Sequence, residues 1–195
     1  MSVDKLHKAF ALFDQANAQD PNVAVFEGKS YPKELLYAIR MTHKLDTFEP
    51  EASEPLKLTA RCQHICRWEI PRESYPMDRP GYLKWRQDLK KFHADKASQI
   101  LQEVGYDQEM IDRVAFLLVK KQLKKNPETQ TLEDVICLVF LEFYFEPFAA
   151  KHPEEKTIDI LQKTWRKMSE KGQKEALKLA LSPASLSLIK KAIQG

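Results

Sequence analysis

The stretch Arg61–Arg72, RCQHICRWEIPR, sets a histidine between two cysteines and surrounds it with arginines. Thiolates and an imidazole could hold a metal if their side chains converge. Guanidinium forks could hold a phosphate or a carboxylate. A histidine among them could move a proton near neutral pH. Helical spacing separates these options. Placed at ~100° per residue, Leu58, Cys62, Ile65 and Cys66 fall on one side, and Ala60, His64, Arg67 and Trp68 fall on another. The cysteines are expected in the core as small hydrophobes. No second Cys or His pair lies nearby in sequence to complete a zinc set.

His64 and Arg67 share a face on the last turn before a proline-stiffened loop, which adds Arg72, Tyr75 and Arg79. The helix that follows opens with Tyr82, Trp85 and Arg86, and Trp85, Leu89 and His93 step by four along one ridge. Between Lys57 and Lys91 there are nine Lys or Arg against four acids, a net +5 in a chain whose formal charge is +3. The rest of the chain is therefore about −2, and positive charge is concentrated around these histidines. Arg67, Arg72 and Arg86 are the expected anion ligands, with Trp68 or Tyr75 packing against the bound group and Lys120 as a further cation.

Acids come from a later apolar segment, TLEDVICLVFLEFYF. Asp134, Leu138 and Glu142 step by four, so both acids could face one cavity. Glu142 sits in a run that is apolar all round, which predicts burial and a need for a cationic partner. The expected catalytic set is His64 and His93 as acid or base, with Asp134 or Glu142 orienting them. A divalent metal on His64, His93 and Asp134 is the alternative.

The elements that must position these groups are helices. A first helix is read from Leu6, Phe10 and Phe13, and a second in PKELLYAIRMTHKL with Pro32 in its first turn. A third, capped by Ser53, runs through Trp68; a long one covers Tyr82 to Val104 and stops at Gly105. DQEMIDRVAFLLVKKQL and the segment from Thr131 give two more, and three follow over 154–168, 170–180 and 183–193. A short extended piece is expected at Val23–Phe26. The fold class is all-α, in one multi-helix domain spanning 1–195.

Composition excludes several functions. The +3 charge argues against a general nucleic-acid binder, so nucleic acid is the less favoured partner. No run nears ~18 uncharged apolar residues, and the N-terminal MSVDKLHKAFALF has no cleavable leader pattern, so no membrane is expected. Three cysteines form no disulfide framework, which predicts a reducing, cytoplasmic setting. There is no glycine-rich phosphate loop and no G-x-S-x-G elbow.

Five segments carry a resemblance: ELLYAIRM, QHICRWEIPR with YP and GYLKWR after it, KKFHADKA, TLEDVICLVFLE and KTWRKMS. Through them the chain resembles an uncharacterised family of bacterial and fungal proteins of about this length, a domain of unknown function. The resemblance covers nearly the whole chain and places His64, Arg67, Trp68, Pro71, Arg72 and His93 in the family pattern, without the two cysteines. More distantly, the chain is similar to the HD-domain metal-dependent phosphohydrolases. That likeness implies an orthogonal helical bundle in which His64 ends a helix, His93 follows 29 residues later and Asp134 follows 70 residues after His64. The Asp of the His-Asp pair is Ile65 here, and the upstream His falls near Arg40 or His43. A metal set that has lost two members points to a degenerate site. The resulting expectation is a pocket for a phosphorylated small molecule or nucleotide, with hydrolysis as its chemistry. The alternatives are a non-catalytic protein- or RNA-binding surface over 67–86, and a true metal-dependent phosphohydrolase.

Overall fold

The computed structural model describes residues 2–194. The fold is all-α apart from one small hairpin: α1 (Ser2–Asn17), β1 (Val23–Phe26), β2 (Lys29–Pro32), α2 (Lys33–Phe48), α3 (Glu54–Cys62), α4 (Arg79–Val104), α5 (Gln108–Leu118), α6 (Pro127–Val139), α7 (Phe145–Ala149), α8 (Glu154–Lys167), α9 (Glu170–Ala176) and α10 (Pro183–Gln194). Two compact units divide the chain, one up to Lys121 and one from Gln122 onward. No helix among the described residues is long and apolar enough to cross a membrane.

In the first unit α5 packs against α3 and α4, α1 against α3 and α4, and α2 against α3. Its core joins Phe13, Leu58, Cys62, Ile65, Leu101 and Val114, all essentially without solvent contact. The hairpin pairs Val23 with Pro32 and Phe26 with Lys29. Glu27 (φ 50°) and Gly28 (φ 73°) form its two-residue turn, the left-handed pair that matches strand twist. The chain then enters α2 directly. Pro32 offers no capping side chain there. Instead Asp20, from the loop after α1, accepts a hydrogen bond from the Glu34 amide at 2.9 Å, filling the capping role.

Local signals set the remaining bounds. Ser53, Asp78, Asp107 and Asn126 accept from backbone amides at the starts of α3, α4, α5 and α6. Pro55, Pro80 and Pro127 occupy first-turn positions, where a missing N–H costs nothing. Gly105, at φ 89°, closes α4. Gly81 is required at the α4 entry, because a Cβ there would run into the Pro76 carbonyl. In the second unit α10 packs on α8, and α6 contacts both α8 and α9.

Two expectations are corrected. The third helix does not continue to Trp68: it ends at Cys62 and gives way to a turn and a short 3-10 segment at Arg67–Glu69. Cys66 takes a left-handed conformation (φ 51°), and its amide donates to the Asn17 side-chain carbonyl at 3.0 Å. That contact replaces a helical bond and breaks the helix. The cysteines still go to the core, at 0 % and 5 % exposure. The second correction concerns Glu142, which is exposed rather than buried. Phe140–Tyr144 is a π segment, and the extra residue in its turn rotates Glu142 off the ridge that holds Asp134 and Leu138, at 2 % and 1 % exposure.

Candidate functional site

The turn after α3 presents His64 to the side of α2. Its Nδ1 lies 3.2 Å from the Glu34 carboxylate, whose side chain is 8 % exposed against 24 % for His64. Its Nε2 lies 3.3 Å from Arg67 Nη1. A guanidinium can only donate, so Nε2 carries the lone pair and Nδ1–H donates to Glu34. The tautomer is thereby fixed. Tyr37, one turn along α2 from Glu34, stacks flat on the imidazole, with centroids 4.1 Å apart and planes 11° apart.

His93 stands behind. Its ring centre is 5.9 Å from that of His64. His93 Nδ1–H donates to the Ile65 carbonyl at 2.8 Å. Its Nε2 is therefore also an acceptor. That atom is buried without a hydrogen-bond partner, in a residue that is 4 % exposed.

Burial and cations keep both rings neutral. Desolvation, then Arg67, Arg86, Lys120 and Lys33, push the His64 imidazolium well below the ordinary histidine range. Desolvation and the neighbouring His64 bring His93 down to about 3. Burial raises the Glu34 carboxyl, while Arg67 and Lys33 oppose that rise. Arg67 itself is depressed by burial and by Arg86, with Glu34 acting the other way.

The arginines alternate with rings along the start of α4. The Arg67 guanidinium lies 4.8 Å from the Trp85 centroid. Arg72 lies 5.9 Å from both Trp85 and Tyr82, and Arg86 lies 6.0 Å from Tyr82. Trp85 is pinned by its Nε1–H, which donates to the Ile70 carbonyl at 2.9 Å. Arg72 is held by donating to the carbonyls of Tyr75 and Asp78. The series runs from half-buried His64 to Tyr82, which is 43 % exposed.

The expected residues fall in both units. His64, His93, Arg67, Arg86 and Lys120 act on one another in the first unit, with Arg72 joined through Trp85. The rings beside the arginines are Trp85 and Tyr82. Trp68 packs against the hydrophobic core, and the Tyr75 hydroxyl donates to Asp88 at 3.0 Å. Asp134 belongs to the second unit, where it accepts from Ser169 N at 2.7 Å, Ser169 Oγ at 2.5 Å and Gln130 Nε2 at 3.1 Å. Those bonds tie α6 to the start of α9, a structural task. Glu142 lies in the second unit as well.

The residues do not fit a divalent cation. Both His64 nitrogens are engaged, one of them by a guanidinium, and four cations surround the ring. Among the described residues no group of three or more His, Cys, Asp or Glu side chains is placed to hold a metal.

Glu34 and Tyr37 are the residues that sequence reading missed. The signal was present: Glu34, Tyr37, Ala38, Met41 and Leu45 form one buried stripe of α2 at helical spacing. An acid on such a stripe needs a partner.

No curated protein and no solved structure matches the chain. A family model, described as a domain of unknown function, matches residues 7–189, and the chain belongs to that family, DUF4202.

Proposed function

We propose that the Glu34–His64–Arg67 centre binds a phosphorylated small molecule or nucleotide and acts on it as an acid–base site. The observation that carries this reading is the fixed His64 tautomer, with a carboxylate behind Nδ1 and a guanidinium on Nε2. A carboxylate that orients a histidine, leaving Nε2 as the proton acceptor, is the arrangement general-base catalysis requires. The surplus of Arg67, Arg86, Lys120 and Lys33 over Glu34 favours an anion. A phosphate drawing Arg67 away from His64 would uncover Nε2. Its charge would also offset the cations that hold the imidazole neutral, raising its basicity when the ligand is in place. Trp85 and Tyr82 supply faces beside the anion.

Thermal-shift and calorimetric screening of nucleotides and sugar phosphates tests this. A ligand should stabilise the wild type, and neither His64→Ala nor Arg67→Ala. Equal stabilisation of all three proteins refutes the site. The rival reading is a non-catalytic protein- or RNA-binding surface, favoured by the exposure of Met77 (74 %), Tyr82 (43 %) and Leu83 (56 %) among arginines. It predicts strongly salt-dependent RNA binding that survives His64→Ala.

A further inference from the structure

At this centre His93 has an unmet requirement. Its Nδ1–H is committed to the Ile65 carbonyl, so Nε2 can only accept. Nε2 is buried and no donor reaches it. Neither of the two rings beside it supplies one. His64 spends its single N–H on Glu34. Phe92 (ring centres 5.7 Å apart) is apolar. Leaving a buried acceptor unsatisfied is costly, so the position is expected to receive a donor. Burial also keeps the ring neutral, as its depression to about 3 indicates, so Nε2 does not meet the need by taking a proton at neutral pH.

We propose that His93 Nε2 accepts a hydrogen bond from a hydroxyl of the ligand, making hydroxylated phosphate esters, of the polyol or sugar type, the compounds this site selects. The proposal rests on the anion reading above and adds to it a second point of recognition. Arg67 and its neighbouring cations hold the phosphate. The hydroxyl lies one imidazole further in, since the two ring centres are 5.9 Å apart and His64 is the more exposed of the pair. A site built around a fixed acceptor disfavours a ligand lacking the hydroxyl, because that ligand leaves the acceptor bare. Position 93 thereby acts on specificity, while Arg67 acts on affinity for every ester alike.

The test uses the full chain and two esters of matched size, glycerol 1-phosphate and propyl phosphate, titrated calorimetrically. The wild type should bind glycerol 1-phosphate about tenfold more tightly, the worth of one net hydrogen bond to a buried acceptor. His93→Asn, whose side-chain amide can still donate to the Ile65 carbonyl but which removes the Nε2 acceptor, should lose that preference. The 15N resonance of His93 Nε2 in the wild type should move upfield on adding glycerol 1-phosphate and stay in place with propyl phosphate, a readout that needs no variant to fold. Equal affinities with Arg67-dependent binding, as when an ordered water alone satisfies Nε2, overturn the hydroxyl contact and leave the anion reading standing. Failure of both esters to bind in an Arg67-dependent way overturns both.

Discussion

The buried histidines make the first unit sensitive to acid in a calculable way. Burial, more than any neighbour, holds His93 down to about 3, whereas a solvated histidine in the unfolded chain titrates near ~6.5. Below that value the unfolded chain binds a proton that the folded chain refuses, so stability falls as pH falls. The loss begins near the unfolded value and continues down to the folded one. At about pH 5 the unfolded histidine is ~1.5 units past its midpoint, which costs about 2 kcal/mol at 1.36 kcal/mol per unit. His64 shifts in the same direction and adds to the loss. Urea unfolding at about pH 7.5 and about pH 5 would measure this, using a Trp165→Phe background so that fluorescence reports Trp68 and Trp85 of the first unit. His93→Gln removes the titrating group and should lose about 2 kcal/mol less than the parent between the two conditions. Carboxylates and His64 contribute to both proteins and cancel in that difference. Parallel losses in parent and variant would refute the claim that His93 is held neutral by burial.

Three other outcomes are expected. Glu34→Gln should keep phosphate-ester binding within about twofold and reduce any ester hydrolysis at least about a hundredfold, because it removes the orienting carboxylate; paired calorimetry and phosphate release would show it. Gly172→Ala should destabilise the second unit by about 1–3 kcal/mol, since its Cβ would come within 2.6 Å of Asp134 Oδ1; circular-dichroism melting measures this. Arg61→Ala should cost about 1–2 kcal/mol in chemical denaturation, because Asp14, about a third exposed, loses a bidentate partner at 2.5 and 2.7 Å.

Much of the scaffold was legible because local chemistry dictates it. Ser53, Asp107 and Gly105 mark boundaries that any tertiary setting would respect, and Val23–Phe26 forms the expected strand. The breaks at Cys62 and Phe140 were not legible. The first depends on Asn17, 49 residues away in sequence from Cys66, and the second on a change of helical register that carries no proline or glycine. The same holds for the candidate site. The cluster of charge and the two histidines could be read from spacing. Glu34 could not be tied to His64 without knowing that α2 lies against the turn after α3. Asp134 shows the converse: its spacing suggested a shared cavity, and its bonds to Ser169 and Gln130 give it a separate occupation.

The segment carrying His64 and Arg67 is held largely through its main chain. His93 grips the Ile65 carbonyl, Asn17 the Cys66 amide and Trp85 the Ile70 carbonyl. These clamps ignore which side chains the clamped positions bear. Among relatives, positions 65, 66 and 70 should therefore drift within what the core volume admits, while 17, 85 and 93 stay fixed. A comparison of sequences would then find the strongest constraint outside the loop whose shape it preserves.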